Sequence, residues 1–556
     1  MNSNDRNLLH LKTDWVGWSY LVDICQRQAH GVRQDMMRWW IIVFLAGLGQ
    51  LPAAPSADSS PALWKLAKES AAIHRFSTLF TAQDVRDHLS SEAGLAEAIQ
   101  WCQASGVTKV YLEESRDGYQ AARPTLVRAR DRFRAAGLVA SGCVTTSRVG
   151  KPADHWGSYI SCYTDPATQD RVQSSFEYAA SLFDEIMIDD FWFSECTCSN
   201  CTAARQARLV TVGPKTYPVS GDTWADYHCE LMLRVSQDRV LAAAKRVNPQ
   251  ARLIIKYPLW YEKFQDRGYD VVRETAAFDQ IWVGTETRDY TDREWGGTPQ
   301  YAGYFLMRWL GGIGGEKCGG GWFDWLGTTE RTYVEQARQT VLGGAHESML
   351  YCFGGLQQGA DIVALRANIP ELLAVAGEVR RREPEGIAVY KPPNSSPQEE
   401  PHVWDFVGMI GLPLVPYHEF PSNAPAAFLS AQALADPHLA EELGEFIAAR
   451  RPVLLTDGLA RRLTGLVSLT ATNVSVLPVG DQPKSLLDLP QTRLDDLRLP
   501  LLGALHASFR APNRVALYLF THGGWVVENF NDSPVKVVLN GQTLNLEARG
   551  WRCHWE

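Results

Sequence analysis

Two adjacent carboxylates, Asp189 and Asp190, follow a short apolar run that begins at Glu185 and precede the aromatic residues 191–193. A buried strand that ends in carboxylates carries charge to one edge of a sheet, and aromatic rings beside it suit the apolar faces of sugars. Glycoside hydrolysis needs two carboxyl groups on opposite sides of the anomeric carbon, one protonated and one ionised. The segment therefore predicts one half of a sugar-cleaving site.

The second carboxyl group must come from another strand, because adjacent residues of a strand point to opposite faces. We expect one of Asp189 and Asp190 to act and the other to orient it. Glu286 and Asp324, which follow two later apolar runs, are the two candidates for the partner. All four are therefore predicted catalytic residues.

Other polar and aromatic side chains also follow predicted strands. A single strand-end carboxylate is more often a helix cap or a rim charge, but carboxylates at four strand ends, interleaved with rings, favour a shared site. The residues that we expect to contact substrate are Glu113, Glu114, Lys256, Tyr257, Trp260, Arg288, Trp192, Trp322 and Trp325.

The elements that position these residues repeat along the chain after Pro61. Short apolar strands alternate with amphipathic helices, which is typical of βα units around a parallel sheet. Eight such units predict a closed (β/α)8 TIM barrel, whose chemistry lies at the carboxyl ends of its strands. The predicted strands are 73–80, 109–114, 138–145, 185–190, 253–257, 280–285, 320–323 and 348–353.

The composition changes after the barrel, which we assign to residues 61–382. Alternating strands and helices over 383–500 predict a small flavodoxin- or amidotransferase-like α/β domain. Residues 501–556 contain alternating apolar runs and the turn dipeptide Asn540-Gly541, which predict a C-terminal antiparallel β-sandwich. No nucleophile with a partnered histidine stands out in the α/β domain, so we expect no separate amidotransferase activity there.

Four cysteines surround the fourth predicted strand: Cys162 precedes it, and Cys196, Cys198 and Cys201 follow it. This arrangement, with the segment 159–166, resembles the family 42 glycoside hydrolases, which are mostly β-galactosidases. That resemblance implies that the four thiolates bind zinc, as a closed structural set that leaves no coordination position for substrate. The order of barrel, α/β domain and β-sandwich resembles the same family, whose second domain mediates oligomer contacts.

The resemblance leaves the catalytic assignment open. Family 42 enzymes carry an Asn-Glu pair at strand four, with Glu as the acid/base, where this chain has Asp189 and Asp190. Their strand-seven nucleophile is a Glu, and the nearest equivalent here is Asp324. An aspartate at strand four with a carboxylate at strand six instead resembles the α-galactosidase-type clan. In that alternative Asp190 or Asp189 attacks and Glu286 donates the proton.

A disulfide from Cys162 to one of the other three is the alternative to zinc, because secreted proteins usually oxidise their cysteines. The spacing C-x-C-x-x-C suits a shared metal better than local disulfides. We expect structural zinc and no cofactor for catalysis.

Composition limits the partners and the compartment. The net charge of −9 and the lack of a basic stripe argue against nucleic acid, so the expected partner is a carbohydrate. Within residues 1–60, a basic start at Met36 or Met37, an apolar run and small residues predict a secretory signal peptide. A single N-terminal anchor is the alternative, and either one indicates a secreted or periplasmic protein.

Taken together, these patterns predict a secreted exo-acting glycoside hydrolase of the galactosidase-like or a related kind. We expect a two-carboxylate, retaining mechanism and a possible homo-oligomer, dimer or trimer. The alternative is a barrel that binds carbohydrate without cleaving it, since aspartate is one methylene shorter than glutamate and a misplacement near 1 Å can reduce the rate ~100-fold.

Overall fold

The computed structural model describes residues 59–556 except 157, 190 and 289–297. Asp190 and nearly all of the segment predicted to be a signal peptide therefore lie outside the described residues. Among the residues that are described, no helix combines the length and the apolar character needed to cross a membrane.

Eight parallel strands close into a barrel in which neighbours along the chain also pair in space. The first strand pairs with both the second and the last, which completes the ring. The strands are Arg75–Phe80 (β1), Val107–Glu113 (β2), Val139–Val144 (β3), Glu185–Ile188 (β4), Arg252–Tyr257 (β5), Gln280–Gly284 (β6), Cys318–Asp324 (β7) and Glu347–Tyr351 (β8). The predicted TIM barrel is thus confirmed, and all eight predicted strands are present.

Helices cover the outside of the barrel, and two short hairpins stand among its loops. The helices are Ser59–Ser70, Ala82–His88, Glu92–Ala104, Arg123–Ala135, Pro166–Ala180, Ser199–Ala207, Trp224–Val235, Ala242–Val247, Val271–Ala277, Ala302–Gly314, Glu330–Leu342, Phe353–Leu356 and Ala360–Arg380. The hairpins pair Ser115–Arg116 with Tyr119–Gln120 and Leu209–Val212 with Lys215–Pro218.

The inside of the barrel is filled by side chains, one from each strand. These are Leu79, Tyr111, Cys143, Met187, Ile254, Trp282, Trp322 and Met349. Because side chains alternate along a strand, residues two positions away on each strand also face inward. This periodicity creates a layer of inward-facing residues at the amino ends of the strands and another at their carboxyl ends.

The layer at the amino ends is held by a buried cation. The Lys109 ammonium of β2 lies 2.6 Å from a Glu185 carboxylate oxygen of β4 and 3.1 Å from one of Glu347 of β8. It also lies 4.5 Å from the centre of the Tyr111 ring. Three strands that are not neighbours are thus tied together across the interior.

After the barrel, five parallel strands form one sheet with helices around it. Its strands stand in the order Leu414–Tyr417, Ile387–Tyr390, Ala427–Leu429, Val453–Thr456 and Val474–Leu477, which is the flavodoxin-like order 2-1-3-4-5. Its helices are Val403–Met409, Leu439–Ala448, Asp457–Leu463 and Gln491–Gly503.

Two antiparallel sheets end the chain, as predicted. One contains Pro384–Glu385, Val515–Phe520, Gly524–Asn529 and Trp551–His554, and the other contains Phe509–Arg510, Val535–Leu539 and Gln542–Leu546. Asn540 and Gly541 both have positive φ, at the turn that joins Leu539 to its partner Gln542. The first strand precedes the α/β sheet in sequence, so the chain leaves the C-terminal sheets and returns to them. The domain boundaries at 382 and 500 stay predictions.

Replacing Lys109 with Ala should destabilise the barrel by about 3–5 kcal/mol, because the buried carboxylates of Glu185 and Glu347 would lose the cation between them. Arg252, the other cation at Glu185, does not bridge the two. The measurement is the midpoint of the barrel's unfolding transition in denaturant. Lys65→Ala is the matched control, because the Lys65–Glu69 pair is long, at 3.9 Å, and exposed. We expect that control to change stability by less than about 0.5 kcal/mol. Equal effects of the two substitutions would contradict the role given to Lys109.

Candidate active site and cysteine cluster

The inward-facing layer at the carboxyl ends of the strands is polar and charged. Seven of the eight strands contribute to it: its members are Glu113 (β2), Thr145 (after β3), Asp189 (after β4), Lys256 (β5), Glu286 (after β6), Asp324 (β7) and Tyr351 (β8). Asp189, Glu286 and Asp324, three of the four predicted catalytic carboxylates, are therefore brought to one mouth.

Asp189 is buried, and cationic and hydroxyl groups surround its carboxylate. The Arg116 guanidinium donates to Asp189 Oδ2 over 2.6 Å, and the Thr145 hydroxyl lies 3.2 Å from the same oxygen. On the other side, Lys256 Nζ lies 3.8 Å from Asp189 Oδ1. Two cations beside one carboxylate favour its ionised form.

Glu113 shares Arg116 with Asp189. It accepts hydrogen bonds from Arg116 Nε at 2.8 Å, from the Ala82 amide at 2.8 Å and from the Thr145 hydroxyl. Burial raises the pKa of Glu113, whereas Arg116 and Thr145 act in the opposite direction. With every contact directed at protein groups, Glu113 is suited to hold Arg116 in place.

Lys256 joins two of the predicted catalytic residues. Its ammonium donates to Glu286 Oε1 over 3.0 Å while it faces Asp189 Oδ1 at 3.8 Å. It is 1% exposed and lies 4.2 Å from the centre of the Trp322 ring. The two carboxylate oxygens can be no farther apart than these two distances combined, so both carboxyl groups can face one anomeric carbon.

The two carboxylate oxygens of Glu286 differ in their contacts. Oε1 accepts a hydrogen bond from Lys256, whereas Oε2 is buried and has no hydrogen-bond partner among the described residues. A methyl group added at Gly284 would lie 2.3 Å from Oε2, so the carboxyl group folds closely over that glycine. Glu286 can occupy this position only because residue 284 has no side chain.

Asp324 is paired more completely. The Arg288 guanidinium donates to both of its oxygens, at 2.6 Å and 3.4 Å, and the Leu326 amide donates to Oδ1 at 3.1 Å. Both of its oxygens are thus engaged by Arg288. Trp322, two residues earlier on β7, stacks on Tyr351 with ring centres 5.6 Å apart and forms the floor of the mouth.

Three predicted substrate-binding residues point away from the mouth. Glu114 follows the inward-facing Glu113, so it faces outward and accepts from Gln120; burial raises its pKa to about 7. Tyr257 follows the inward-facing Lys256, and its hydroxyl meets Thr275 of an outer helix. Strand alternation puts both on the outside of the barrel.

Trp192 is the third of these residues. It is fully buried, and its indole N–H donates to Ser236 over 2.9 Å behind the barrel wall. Its neighbours make other contacts: the Phe191 ring meets that of Tyr159, and the Phe193 ring meets those of Trp156 and Trp260. Trp260 and Trp325 are half-buried in the loops after β5 and β7.

Arg116, Thr145 and Tyr351 were not among the site residues predicted from the sequence. Thr145 and Tyr351 lie two residues after the inward-facing Cys143 and Met349. The alternation of side chains along a strand could therefore have predicted that both face the mouth. Arg116 lies in the short hairpin after β2, and its guanidinium is 5.6 Å from the centre of the Tyr351 ring. Nothing in its local sequence indicates that it turns into the mouth.

Cys162, Cys196, Cys198 and Cys201 form a cluster in the loops after β3 and β4, and their sulfur atoms all lie within 4.8 Å of one another. The sulfur of Cys162 is 3.8 Å from that of Cys198 and 3.6 Å from that of Cys201. Metal–sulfur bonds of about 2.3 Å in a tetrahedron put the sulfurs about 3.8 Å apart. The cluster therefore fits a metal ion held by four thiolates.

A disulfide is not formed in this cluster, since a sulfur–sulfur bond would be about 2.05 Å long. Every cysteine among the described residues is a free thiol. Four protein ligands would complete the coordination of a tetrahedral metal, so the group can brace the loops and has no position left for a substrate.

Comparison with known proteins agrees with this geometry. A family model described as "Probable glycosyl hydrolase, catalytic domain" matches residues 61–367, which is more than half of the chain. An uncharacterized protein of Saccharolobus solfataricus is 26% identical in an alignment of 353 positions that covers 58% of this chain and 57% of that protein. The chain thus spans little more than half of the length of this relative.

Solved structures share the fold at 10% identity. An α-L-fucosidase isoenzyme of Paenibacillus thiaminolyticus matches with a TM-score of 0.59 over 85% of this chain and 91% of its own. A catalytic mutant of a GH42 β-galactosidase from G. stearothermophilus matches with a TM-score of 0.58 over 87% of this chain and 98% of its own.

Replacing Cys201 with Ser should abolish stoichiometric metal binding, because the closed set would lose one of its four thiolates. Metal content of the purified protein, measured by inductively coupled plasma mass spectrometry, tests this. Cys553→Ser, in the last strand and outside the cluster, is the control and should keep the wild-type metal content. Equal metal content in all three proteins would show that the cluster is not the metal site.

Proposed function

The chain belongs to the probable glycosyl hydrolase family, and from this premise we propose that it is a retaining exo-glycosidase with Asp189 as nucleophile and Glu286 as acid/base. The observation that carries the proposal is the bridge made by Lys256. One buried ammonium group contacts a carboxylate oxygen of each residue, at 3.8 Å and 3.0 Å. The two carboxyl groups therefore face the same small volume, one from the loop after β4 and the other from the loop after β6.

Asp189 suits the nucleophile because it must stay ionised until it attacks. Arg116 and Lys256 both stabilise its negative charge, and burial keeps water from screening them. These contacts also fix the direction of the carboxylate. A fixed carboxylate loses little entropy when it meets the anomeric carbon.

Glu286 suits the acid/base because Oε2 has no hydrogen-bond partner in the described part of the chain. That oxygen can carry the proton that a leaving oxygen needs, while Oε1 stays fixed by Lys256. Asp324 is the weaker candidate for the acid/base, because Arg288 engages both of its oxygens and leaves neither open for that proton. We therefore propose the α-galactosidase-type pairing of strands four and six rather than the family 42 pairing of strands four and seven.

The proposed reaction has two steps. Asp189 attacks the anomeric carbon, the glycosidic bond breaks, and the Glu286 proton moves to the leaving oxygen. Water then attacks the glycosyl–Asp189 ester, and Glu286 removes the proton from that water. The sugar leaves with its original anomeric configuration, and both carboxyl groups return to their starting states.

The charges of the mouth favour a neutral sugar. Each described cation there is already paired with carboxylates: Arg116 with Glu113 and Asp189, Lys256 with Glu286, and Arg288 with Asp324. We propose a terminal sugar of galactose-like configuration as the substrate. The similar structures named as a β-galactosidase and an α-L-fucosidase support that range, since fucose is a deoxygalactose.

We propose zinc as the metal of the cysteine cluster, since four thiolates at tetrahedral spacing are a zinc set. Its part would be structural. Secretion through the signal segment, or retention by an N-terminal anchor, and assembly as a dimer or trimer are further parts of the proposal. Fractionation of the producing cells and light scattering of the purified protein test these two points.

Replacing Asp189 with Asn should abolish hydrolysis of every glycoside, whereas Glu286→Gln should lower kcat by about 10²–10⁴-fold. Dinitrophenyl glycosides need little protonation, so in Glu286→Gln they should restore the first step, seen as a burst of dinitrophenol, while the second step stays slow because it lacks its base. Steady-state kinetics on aryl glycosides of both anomers measures this, and NMR of the first product reports retention.

Asp184→Asn is the control for these two variants, since that carboxylate is exposed at the opposite end of β4. Unchanged turnover in Asp189→Asn, or a product of inverted configuration, would contradict the assignment. A wild-type protein that binds sugars but cleaves none would instead favour the non-catalytic alternative.

Replacing Gly284 with Ala should lower kcat by roughly 100-fold, because the new methyl group displaces the Glu286 carboxyl group by an ångström or more. The displaced group is the flexible end of a side chain, so we expect little change in unfolding midpoint. Gly311→Ala is the control, because an added methyl group there meets nothing within 4 Å. Full activity in Gly284→Ala would show that the present position of Glu286 is not needed.

A further inference from the structure

Three aromatic rings on three different barrel loops surround one guanidinium group. The Arg267 guanidinium lies 4.1 Å from the ring centre of Trp260, 5.2 Å from that of Trp156 and 5.6 Å from that of Phe193. Trp156 and Trp260 are stacked, and Phe193 meets both rings edge to face. We call Trp156, Phe193 and Trp260 the aromatic wall. Phe193 is fully buried and supports the other two rings, so the half-buried Trp156 and Trp260 are the members that a ligand could contact.

The aromatic wall lies close to the proposed catalytic carboxylates. Phe193 follows Asp189 by four residues and Trp260 follows Lys256 by four residues, so the Cα atoms of each such pair are at most about 14 Å apart. Asp189 and Lys256 are themselves neighbours, at 3.8 Å. The wall thus lies at the carboxyl end of the barrel, on the same side as the mouth.

Hydrogen bonds hold the loop of Trp156 against the loop of Phe193. The Trp156 indole N–H donates to Glu195 Oε2 over 2.5 Å, and Glu195 Oε1 accepts from Arg267 over 2.6 Å. The Asp154 carboxylate receives both the amide and the hydroxyl of Thr197, at 2.8 Å and 2.7 Å.

The cysteine cluster connects the same two loops to each other. Cys162 lies six residues after Trp156, and Cys196 lies three residues after Phe193, so a metal bound by the cluster would join the two segments that carry these rings. Trp156 has φ of +62°, a conformation that large side chains rarely adopt. Strain of this kind persists where surrounding contacts impose it, and it concentrates at ligand sites.

We propose that the aromatic wall is a binding subsite for the leaving group, a second sugar ring or an aryl group, and that the cysteine cluster holds the wall in position. This inference rests on the proposed glycosidase function and adds to it the part of the substrate beyond the cleaved bond. Flat rings held rigidly bind the apolar face of a sugar or an aryl ring at little entropic cost. The terminal sugar would be bound by the mouth, and the leaving group by the wall.

The test separates the two subsites by ligand. Binding is measured by isothermal titration calorimetry in an Asp189→Asn background, so that no ligand is consumed. The probes are p-nitrophenyl β-D-galactoside with D-galactose, and p-nitrophenyl α-L-fucoside with L-fucose. The aryl glycosides occupy both subsites, whereas the free sugars occupy the mouth alone.

Trp260→Ala should weaken binding of the aryl glycoside roughly tenfold and leave binding of the free sugar unchanged. Trp525→Ala is the matched control, because that half-buried ring stacks on His554 in the C-terminal sheet. The control should bind both probes like the parent protein. Equal weakening of both probes by Trp260→Ala would show a merely structural role, and no weakening of either would show that the wall does not bind the leaving group.

The cysteine cluster is tested by the same titrations on Cys201→Ser, with Cys553→Ser as its control. Loss of the cluster should weaken binding of the aryl glycoside by a similar factor and leave binding of the free sugar unchanged. The tryptophan emission of the folded protein should also shift, because Trp156 and Trp260 become more exposed. Wild-type affinity and emission in Cys201→Ser would overturn the coupling of cluster and wall.

These outcomes are distinct from failure of the proposed function. A wild-type protein that cleaves none of the aryl glycosides would refute the glycosidase assignment, whereas the difference in affinity between the two probes would still report on the wall. Absence of binding for all four probes would count against the wall as well.

Discussion

A buried ammonium group at the mouth of the barrel determines the arrangement of the charges around it. Lys256 is 1% exposed, and a cation so far from water is tolerated only when carboxylates compensate it. Asp189 supplies that negative charge and Glu286 accepts a hydrogen bond from the ammonium group, from the loops after the strands on either side of β5. The Trp322 ring adds a favourable face beneath the ammonium group. Two carboxyl groups are thereby held near one point.

The closed barrel makes this arrangement possible. Side chains alternate along each strand, so every second residue faces the interior, and closure brings those residues from all strands into common layers. The apolar layer in the middle excludes water from below, while the layer at the carboxyl ends holds the charges that do the proposed chemistry. The layer at the amino ends uses the same device for stability, with Lys109 between Glu185 and Glu347.

The loops above the mouth are connected to one another by side chains. Arg116 reaches Asp189 from a two-residue hairpin arm, and Arg267 gathers rings from three separate loops. The cysteine cluster is the strongest restraint on the loops after β3 and β4, because it places four thiols at the spacing that one metal ion requires. The α/β domain and the C-terminal sheets pack against the barrel elsewhere, through contacts such as the Tyr261 hydroxyl with Asp405 and the Gln339 amide with Glu528.

The sequence by itself determined the eight strands, because a buried parallel strand requires an apolar run of a few residues and that requirement is local. It also determined that Asp189, Glu286 and Asp324 end such strands, and that four cysteines stand at a metal-binding spacing. Only the tertiary structure decided which side of each strand a residue faces. Glu113 and Lys256 face the mouth, whereas the next residues, Glu114 and Tyr257, face the outside of the barrel. Trp192 also packs outside the ring of strands. The roles of Arg116, Thr145 and Tyr351 were decided in the same way, since the contacts of these residues come from segments distant in the chain and are created by closure of the barrel.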